Sequence, residues 1–179
     1  MKKYIALLRG INVSGQKKIK MAELKLLFVD MSFQNVVTYI QSGNVIFSSN
    51  EKNRQNLENK ISSEIKRKFG FEVKTFVLNP KKVQSVIENN PFINKKKELE
   101  RLYVTFLSDK PTGENVQKLN LIDYSPEEYK IDKNCIYLFY PNGAGKAKLN
   151  NNILENKLKV FATTRNWRTI NMLSELAGS

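Results

Sequence analysis

Two of the six arginines in the chain, Arg165 and Arg168, flank its only tryptophan in the segment FATTRNWRTINML. Guanidinium groups bind phosphate and carboxylate through paired hydrogen bonds. If Thr164 caps a helix that begins at Arg165, its first turn presents two cations and free backbone N–H groups to an anion. The segment therefore predicts an anion site at Thr164, Arg165, Asn166 and Arg168. In the alternative interpretation both arginines are solvated or paired with carboxylates, and Trp167 belongs to the core.

Two turn-rich segments carry further candidate ligand contacts. Arg9 ends an apolar run, and the glycine-rich loop after it contains Asn12. The segment YIQSGNVIF places Gln41, Ser42 and Asn44 at a predicted hairpin turn. Loops between a strand and a helix often carry ligand contacts. Turn chemistry alone also explains both segments, so ligand binding there is a prediction.

The segment YPNGAGKAKL is similar to the end of a phosphate-binding P-loop. That motif requires a glycine where this chain has Tyr140 and a serine or threonine where it has Ala147. These differences argue against a nucleoside triphosphatase. A glycine-rich turn followed by Lys146 and Lys148 is either a phosphate contact or a flexible loop before a helix.

The residue types exclude several kinds of catalytic site. The chain has no histidine and one cysteine, Cys135, which excludes Ser-His-Asp and Cys-His nucleophiles and most zinc or iron sites. The carboxylate pair Glu127–Glu128 is interpreted as a solvated pair at a turn or strand edge. We therefore expect no metal and no cofactor, and the sequence leaves open whether any reaction is catalysed.

Composition indicates a globular protein with a strongly basic surface. The 179 residues, 41% hydrophobic and 26% charged, suit one domain or two small ones. No apolar run has the length of a signal-peptide core or a membrane span, and a lone cysteine cannot form an internal disulfide, so we expect a cytoplasmic protein. The net charge of +13 indicates either a functional basic surface or a drift toward lysine and asparagine under AT-rich coding.

The hydrophobic pattern predicts an α+β fold made of ferredoxin-like split β-α-β units. The first half reads as strand, helix, hairpin, helix and strand, within residues 4–10, 19–31, 35–49, 51–69 and 71–78. After a short helix that Pro80 opens, the second half reads as strand, helix, hairpin and two closing helices, within 101–108, 111–121, 127–143, 151–161 and 163–177. We expect two copies of the unit: 1–79 as a ferredoxin-like half, and 80–179 as a second α+β half with C-terminal helices.

The segments YIALLRGINVSGQKKIKMAEL, VVTYIQSGNVIFSS and ATTRNWRTINML resemble the bacterial family catalogued as domain of unknown function 1697. The resemblance implies an α+β fold of ferredoxin-like character and no known activity. The motif positions that it carries over are Arg9, Gly10, Asn12, Gln41, Ser42, Gly43, Asn44, Thr164, Arg165, Asn166, Trp167 and Arg168. The chain departs from the family pattern at Ser14, typically glycine, and at Ala147, usually serine, while Lys148 fits it.

Three functions remain open at this stage. The arginines favour a site for a small phosphate- or carboxylate-bearing ligand, formed by the RGIN, QSGN and TTRNWR segments with Lys148. The second is RNA binding by the basic surface, with bases stacked on strand aromatics such as Tyr103, Tyr137 and Phe139. The third is a homodimeric interaction module joined through a sheet edge. We expect no membrane partner, and the sequence does not fix the oligomeric state.

Overall fold

The predicted α+β fold is confirmed by a computed structural model, which describes residues 1–95 and 97–178. The chain divides into two compact units. Unit 1 comprises Met1–Ser85 and Met172–Ser179, and unit 2 comprises Val86–Asn171. Each unit contains one four-stranded antiparallel sheet. Within the described residues, no helix is both long enough and apolar enough to cross a membrane.

Unit 1 has the split β-α-β topology. Its elements in order are β1 (Lys2–Leu8), α1 (Met21–Asp30), β2 (Gln34–Tyr39), β3 (Asn44–Ser49), α2 (Arg54–Phe69) and β4 (Thr75–Leu78). The strand order across the sheet is β2-β3-β1-β4, and each neighbouring pair is antiparallel. The helix α3 (Pro80–Glu88) follows β4.

The core of unit 1 lies between its sheet and the helices α1 and α2. Each helix buries one stripe of residues at helical spacing, which for α2 is Leu57, Ile61 and Ile65. Burying each such side chain stabilises the fold by about 1.5–3 kcal/mol. The ends of α2 are fixed by Asn53, whose side chain accepts from two backbone N–H groups of the first turn, and by the left-handed Gly70.

Unit 2 repeats this topology. Its elements in order are β5 (Leu102–Leu107), α4 (Gly113–Asn120), β6 (Glu128–Asp132), β7 (Cys135–Phe139), α5 (Asn151–Leu158) and β8 (Ala162–Asn166). The last helix, α6 (Trp167–Ala177), begins in unit 2 and ends in the C-terminal residues that belong to unit 1. The strand order is β6-β7-β5-β8, the counterpart of the order in unit 1. The predicted hairpin in residues 127–143 is confirmed, and it turns between Asp132 and Cys135.

The C-terminal segment of the chain differs from the sequence prediction. Residues 163–177 were expected to form one helix, but β8 (Ala162–Asn166) precedes α6 (Trp167–Ala177). The strand pairs antiparallel with β5, and Thr105 lies opposite Thr164. The helical pattern of Trp167, Ile170 and Leu173 is real, but it begins three residues later than Thr164 because pairing with β5 holds the preceding residues extended.

Candidate functional site

Three connections of unit 1 emerge at one end of its sheet. The register pairs Leu7 with Asn44 and Leu8 with Thr75. The β1–α1 loop, the β2–β3 turn and the α2–β4 loop therefore leave the sheet side by side. The RGIN and QSGN segments belong to the first two of these connections, so the structure brings two of the three predicted segments together within unit 1.

Asn12 fastens the β1–α1 loop to the β2–β3 turn. Its backbone has φ +55°, a left-handed conformation that asparagine tolerates better than most residues. Its Oδ1 accepts from the Ile19 N–H at 2.9 Å, and its Nδ2 donates to the carbonyls of Ile19 at 2.9 Å and Gln41 at 2.8 Å. These bonds use both donors of the amide. Asn12, a predicted ligand contact, therefore acts in this structure as a clamp between the loops.

The QSGN turn is packed tightly against the first loop. Asn44 is fully buried, and its Nδ2 donates to the Tyr39 carbonyl at 3.0 Å and to Ser42 Oγ at 2.9 Å. The Leu8 N–H donates to the Gly43 carbonyl at 2.8 Å. Asn44 thus shapes the turn from inside, whereas Gln41 is exposed and Ser42, which accepts from Asn44, is half-buried.

Cations surround these connections. Arg9, Lys17 and Lys74 are half-buried, and Lys18 and Lys20 are exposed. We call these five residues the basic end of unit 1. The Arg9 N–H donates to the Lys74 carbonyl at 2.9 Å, and Lys17 Nζ donates to the carbonyl of Glu72 at 2.7 Å. These bonds tie the first loop to the α2–β4 loop, so the charges are held on an ordered framework.

The predicted helix start at Thr164 is wrong. Asn166 is the residue that caps α6, because its Oδ1 accepts from the Thr169 N–H at 2.8 Å. The Thr164 hydroxyl donates instead to Asn151 Oδ1 at 2.6 Å and lies 2.6 Å from the hydroxyl of Thr105. The helix start that the sequence indicated therefore exists, two residues further along the chain.

The prediction that Arg165 and Arg168 lie in the same helical turn is wrong. Arg165 is on β8 and only 7% exposed, whereas Arg168 is on the first turn of α6 and exposed. The Arg165 Nη1 donates to Thr163 Oγ1 and to the Thr164 carbonyl, both at 2.9 Å. Burial lowers the pKa of Arg165 to about 10, because desolvation disfavours the charged form. Arg165 still carries its charge at neutral pH, inside the protein.

The glycine-rich turn before α5 already binds a carboxylate of the protein. Glu127 accepts from the backbone N–H groups of Lys148 at 2.6 Å and Leu149 at 2.8 Å. The Lys148 ammonium donates to the Ser125 carbonyl at 3.0 Å. The interpretation of Glu127 as a solvated charge is therefore wrong. The N–H groups that a phosphate would use in this turn are bonded to that side chain.

The strand aromatics of unit 2 do not form an open stacking surface. Tyr137 is 2% exposed, in the core. Tyr103 packs against Tyr140 with ring centroids 5.0 Å apart, and the Lys97 ammonium lies 4.5 Å from the ring centre of Phe139. Base stacking on a sheet needs exposed ring faces, so this observation counts against the RNA hypothesis in its original form.

Comparisons with known proteins identify a family from the sequence and a similar fold among solved structures. The family described as Protein of unknown function (DUF1697) matches residues 1–137, which include the RGIN and QSGN segments. The solved "structure of conserved bacterial protein SP0830 from Streptococcus pneumoniae" is similar, with a TM-score of 0.73, 23% sequence identity and coverage of 98% of each chain. At this identity the similarity establishes the fold alone. No curated protein matches the chain.

Proposed function

The chain belongs to the family Protein of unknown function (DUF1697), and we propose that it binds a small phosphate- or carboxylate-bearing ligand at the basic end of unit 1. The observation that carries this proposal is the grouping of three half-buried cations, Arg9, Lys17 and Lys74, beside two loops that are fastened together. Guanidinium and ammonium groups form strong, charge-assisted hydrogen bonds to phosphate and carboxylate oxygens.

The charge balance of unit 1 favours an anion over any other ligand. Residues 1–85 contain 16 lysines and arginines against 6 acidic residues. The acidic residue of the α2–β4 loop, Glu72, has its carboxylate bonded to Lys66 at 2.7 Å. A phosphate or carboxylate near Arg9 would therefore meet a positive potential, and a guanidinium offers it two parallel hydrogen bonds.

The loops around Arg9 are ordered before any ligand arrives. Asn12 bonds both the first loop and the β2–β3 turn, and Asn44 fixes the turn from inside. Loops that are already ordered lose less conformational entropy on binding. Gln41 is exposed and Ser42 half-buried in this turn, and we propose that their side chains contact the ligand beside Arg9.

The candidates in unit 2 remain predictions of anion binding. Arg168 keeps an exposed guanidinium on α6, and Asn166 and Lys148 have backbone-bonded side chains. Arg165 is buried, and Thr164 is bonded to Asn151. Of this group, Arg168 is the most accessible to a small anion.

The proposal is tested by calorimetric titration of the full chain with inorganic phosphate, pyrophosphate and citrate. We expect at least one of them to bind, and Arg9→Ala to weaken that binding about 10- to 100-fold, because a charged hydrogen bond contributes about 1.5–3 kcal/mol. Arg54→Ala is the matched control. It removes the same charge at the start of α2, which follows the opposite end of β3.

Equal binding by Arg9→Ala and Arg54→Ala would mean that only the net charge matters, and the proposed site would be wrong. A third variant, Lys17→Gln, removes a charge of the same loop and keeps Arg9, so it measures the contribution of the lysine apart from that of the arginine. It should weaken binding less than Arg9→Ala, because an ammonium acts as a point charge without the paired donors of a guanidinium.

Two alternative functions are RNA binding and pairing of two copies of the chain through a sheet edge. RNA binding through the basic surface would give an affinity for a short single strand that falls steeply with salt, through counterion release. Such a result without any small-anion binding would replace our proposal. Pairing of two copies through the β2 edge is disfavoured by a register shift between Gln34 and Val37, with Asn35 at φ +51°, since bulges interrupt strand addition.

A further inference from the structure

Ile40, in the β2–β3 turn, combines two features that folding alone does not favour. Its backbone has φ +49°, in the left-handed region that β-branched residues rarely adopt. Its side chain is apolar and nevertheless 46% exposed. Residues held in such sparsely populated conformations cluster at ligand sites and other functional sites. The position therefore points to a role for the Ile40 side chain outside the core.

A second exposed apolar residue lies on the neighbouring loop. Val13 is 59% exposed and directly follows Asn12 in the chain. The Asn12 amide donates to the carbonyl of Gln41 at 2.8 Å, and Gln41 directly follows Ile40. This hydrogen bond holds the two backbone segments that carry Val13 and Ile40 beside each other. We call these two residues the apolar pair. Single exposed apolar residues are ordinary on a surface, whereas grouped ones with a polar rim mark binding sites.

Unit 2 shows that the fold does not require apolar residues at these places. Its β6–β7 turn consists of Lys133 and Asn134, and its β5–α4 loop, residues 108–112, has the sequence Ser-Asp-Lys-Pro-Thr. Lys133 has φ +54°, close to that of Ile40, but its side chain is charged and exposed. The apolar residue of the longer loop, Pro111, is buried. Unit 1 thus exposes apolar side chains where the same topology in unit 2 exposes polar ones.

The apolar pair belongs to the loops that carry the basic end of unit 1. Val13 lies on the same β1–α1 loop as Arg9 and Lys17. Neither residues 9–20 nor residues 39–44 include an acidic residue, so these two segments supply cations and apolar surface without negative charge. Small-molecule sites typically combine apolar walls with a few polar or charged groups that fix the orientation of the ligand. Such a surface is complementary to an anion that also has an apolar part.

We infer that the anion bound at the basic end carries an apolar group, which packs against Val13 and Ile40 while its phosphate or carboxylate bonds to Arg9. The inference rests on the proposed anion site and specifies the class of its ligand, which is an organic phosphate or carboxylate with an apolar substituent. The charge attracts and orients the ligand, and the apolar contact selects among anions of equal charge.

The test compares anions of equal charge that differ in apolar surface, which are methyl phosphate with phenyl phosphate and acetate with hexanoate. Calorimetric titration of the full chain measures each dissociation constant. We expect the more apolar member of at least one pair to bind about 10-fold more tightly, the effect of burying about two methylene groups. Ile40→Asn should remove that preference and leave the affinity for the less apolar member unchanged, and Val13→Thr should reduce the preference in part.

Leu26→Asn is the matched control for Ile40→Asn. It removes an isomeric apolar side chain that is 58% exposed on α1, and it should keep the preference. The stability of the variants gives a second readout. Asparagine tolerates a left-handed backbone better than isoleucine, so Ile40→Asn should raise the urea midpoint of unfolding while it weakens binding of the more apolar anion. An unchanged or lower midpoint would show that the Ile40 side chain stabilises the fold, and would overturn the inference.

The binding results separate the inference from the anion site on which it rests. Binding of methyl phosphate or acetate with no preference for phenyl phosphate or hexanoate would overturn the inference and leave the anion site standing. A preference that survives in both Ile40→Asn and Val13→Thr would place the apolar contact elsewhere, and the inference would again be wrong. No binding of any of the four anions would refute the anion site and the inference together.

Discussion

Gly43, in the β2–β3 turn, packs closely against Leu8 and Ile11 of β1 and the β1–α1 loop. Its replacement by alanine tests how tightly the turn and the loop are packed. The residue has φ +78°, and an added Cβ would lie 2.7 Å from Ile11 Cδ1 and 2.8 Å from Leu8 Cβ. Ile11 can move the end of its side chain. The Cβ of Leu8 cannot move without the β1 backbone, which is bonded to the Gly43 carbonyl at 2.8 Å through the Leu8 N–H. Relief of the clash therefore requires a shift of the turn itself.

Two terms set the expected loss of stability. A left-handed conformation costs an L-residue about 1–2 kcal/mol, and inserting a carbon into a packed site costs about 1–3 kcal/mol. Gly43→Ala should therefore lower the free energy of unfolding by about 2–5 kcal/mol. Gly10→Ala isolates the first term, because Gly10 has φ +70° and an added Cβ would meet no atom within 4 Å. It should cost about 1–2 kcal/mol.

The assay is urea unfolding of the full chain followed by far-ultraviolet circular dichroism. Trp167, in unit 2, gives a second signal from its fluorescence. If the two signals give different transitions, the two units unfold separately. A loss of stability that is seen by circular dichroism and not by Trp167 fluorescence then belongs to unit 1. An equal loss in Gly43→Ala and Gly10→Ala would refute the packing argument, because only the backbone term would remain.

Two further predictions concern unit 2. Asn166→Ala should lower the free energy of unfolding by about 1 kcal/mol through loss of the α6 cap, while Asn166→Asp should retain most of it; equal stability of the alanine variant and the wild type would contradict the capping role. Burial raises the pKa of Tyr137 above its ordinary value, so the unfolded chain ionises first and stability falls as pH rises above about 10. Tyr137→Phe should reduce that fall in urea unfolding at alkaline pH, and an undiminished fall would show that Tyr137 is not its source.

Local patterns predicted most of the fold. Apolar runs ending in glycine or turn residues marked β1 and β3, and four-residue spacing of Leu57, Ile61 and Ile65 marked α2. The error at β8 has a specific cause. Thr164 is chemically suited to cap a helix, and only its partners in the fold show that its hydroxyl is used elsewhere: Asn151, and Thr105 across the sheet, 59 residues earlier in the chain. Spacing within one segment carries no information about such a partner.

The sequence predicted which segments belong to the candidate site, but not how their side chains bond to one another. Arg9, Gln41 and Ser42 were identified because their loops combine glycine with polar residues. The clamp role of Asn12 depends on the Gln41 carbonyl, 29 residues away, and the bonding of Glu127 depends on backbone N–H groups 21 and 22 residues later. Burial of Arg165 could not be read from a segment whose tryptophan and arginines suited an exposed helix start.

The difference between the two units supports a ligand site at the basic end of unit 1. Both have the same strand order, so the fold itself does not require long connections at this end. Yet the first strand-to-helix loop has 12 residues in unit 1, between Leu8 and Met21, and 5 in unit 2, between Leu107 and Gly113. The hairpin connection has 4 residues in unit 1 and 2 in unit 2. Extra loop length adds an entropic cost to folding. Unit 1 offsets part of that cost with the bonds of Asn12 and Asn44, and the ordered loops carry Arg9 and Lys17. Loops longer than the scaffold needs, yet fastened in place, are typical of binding sites.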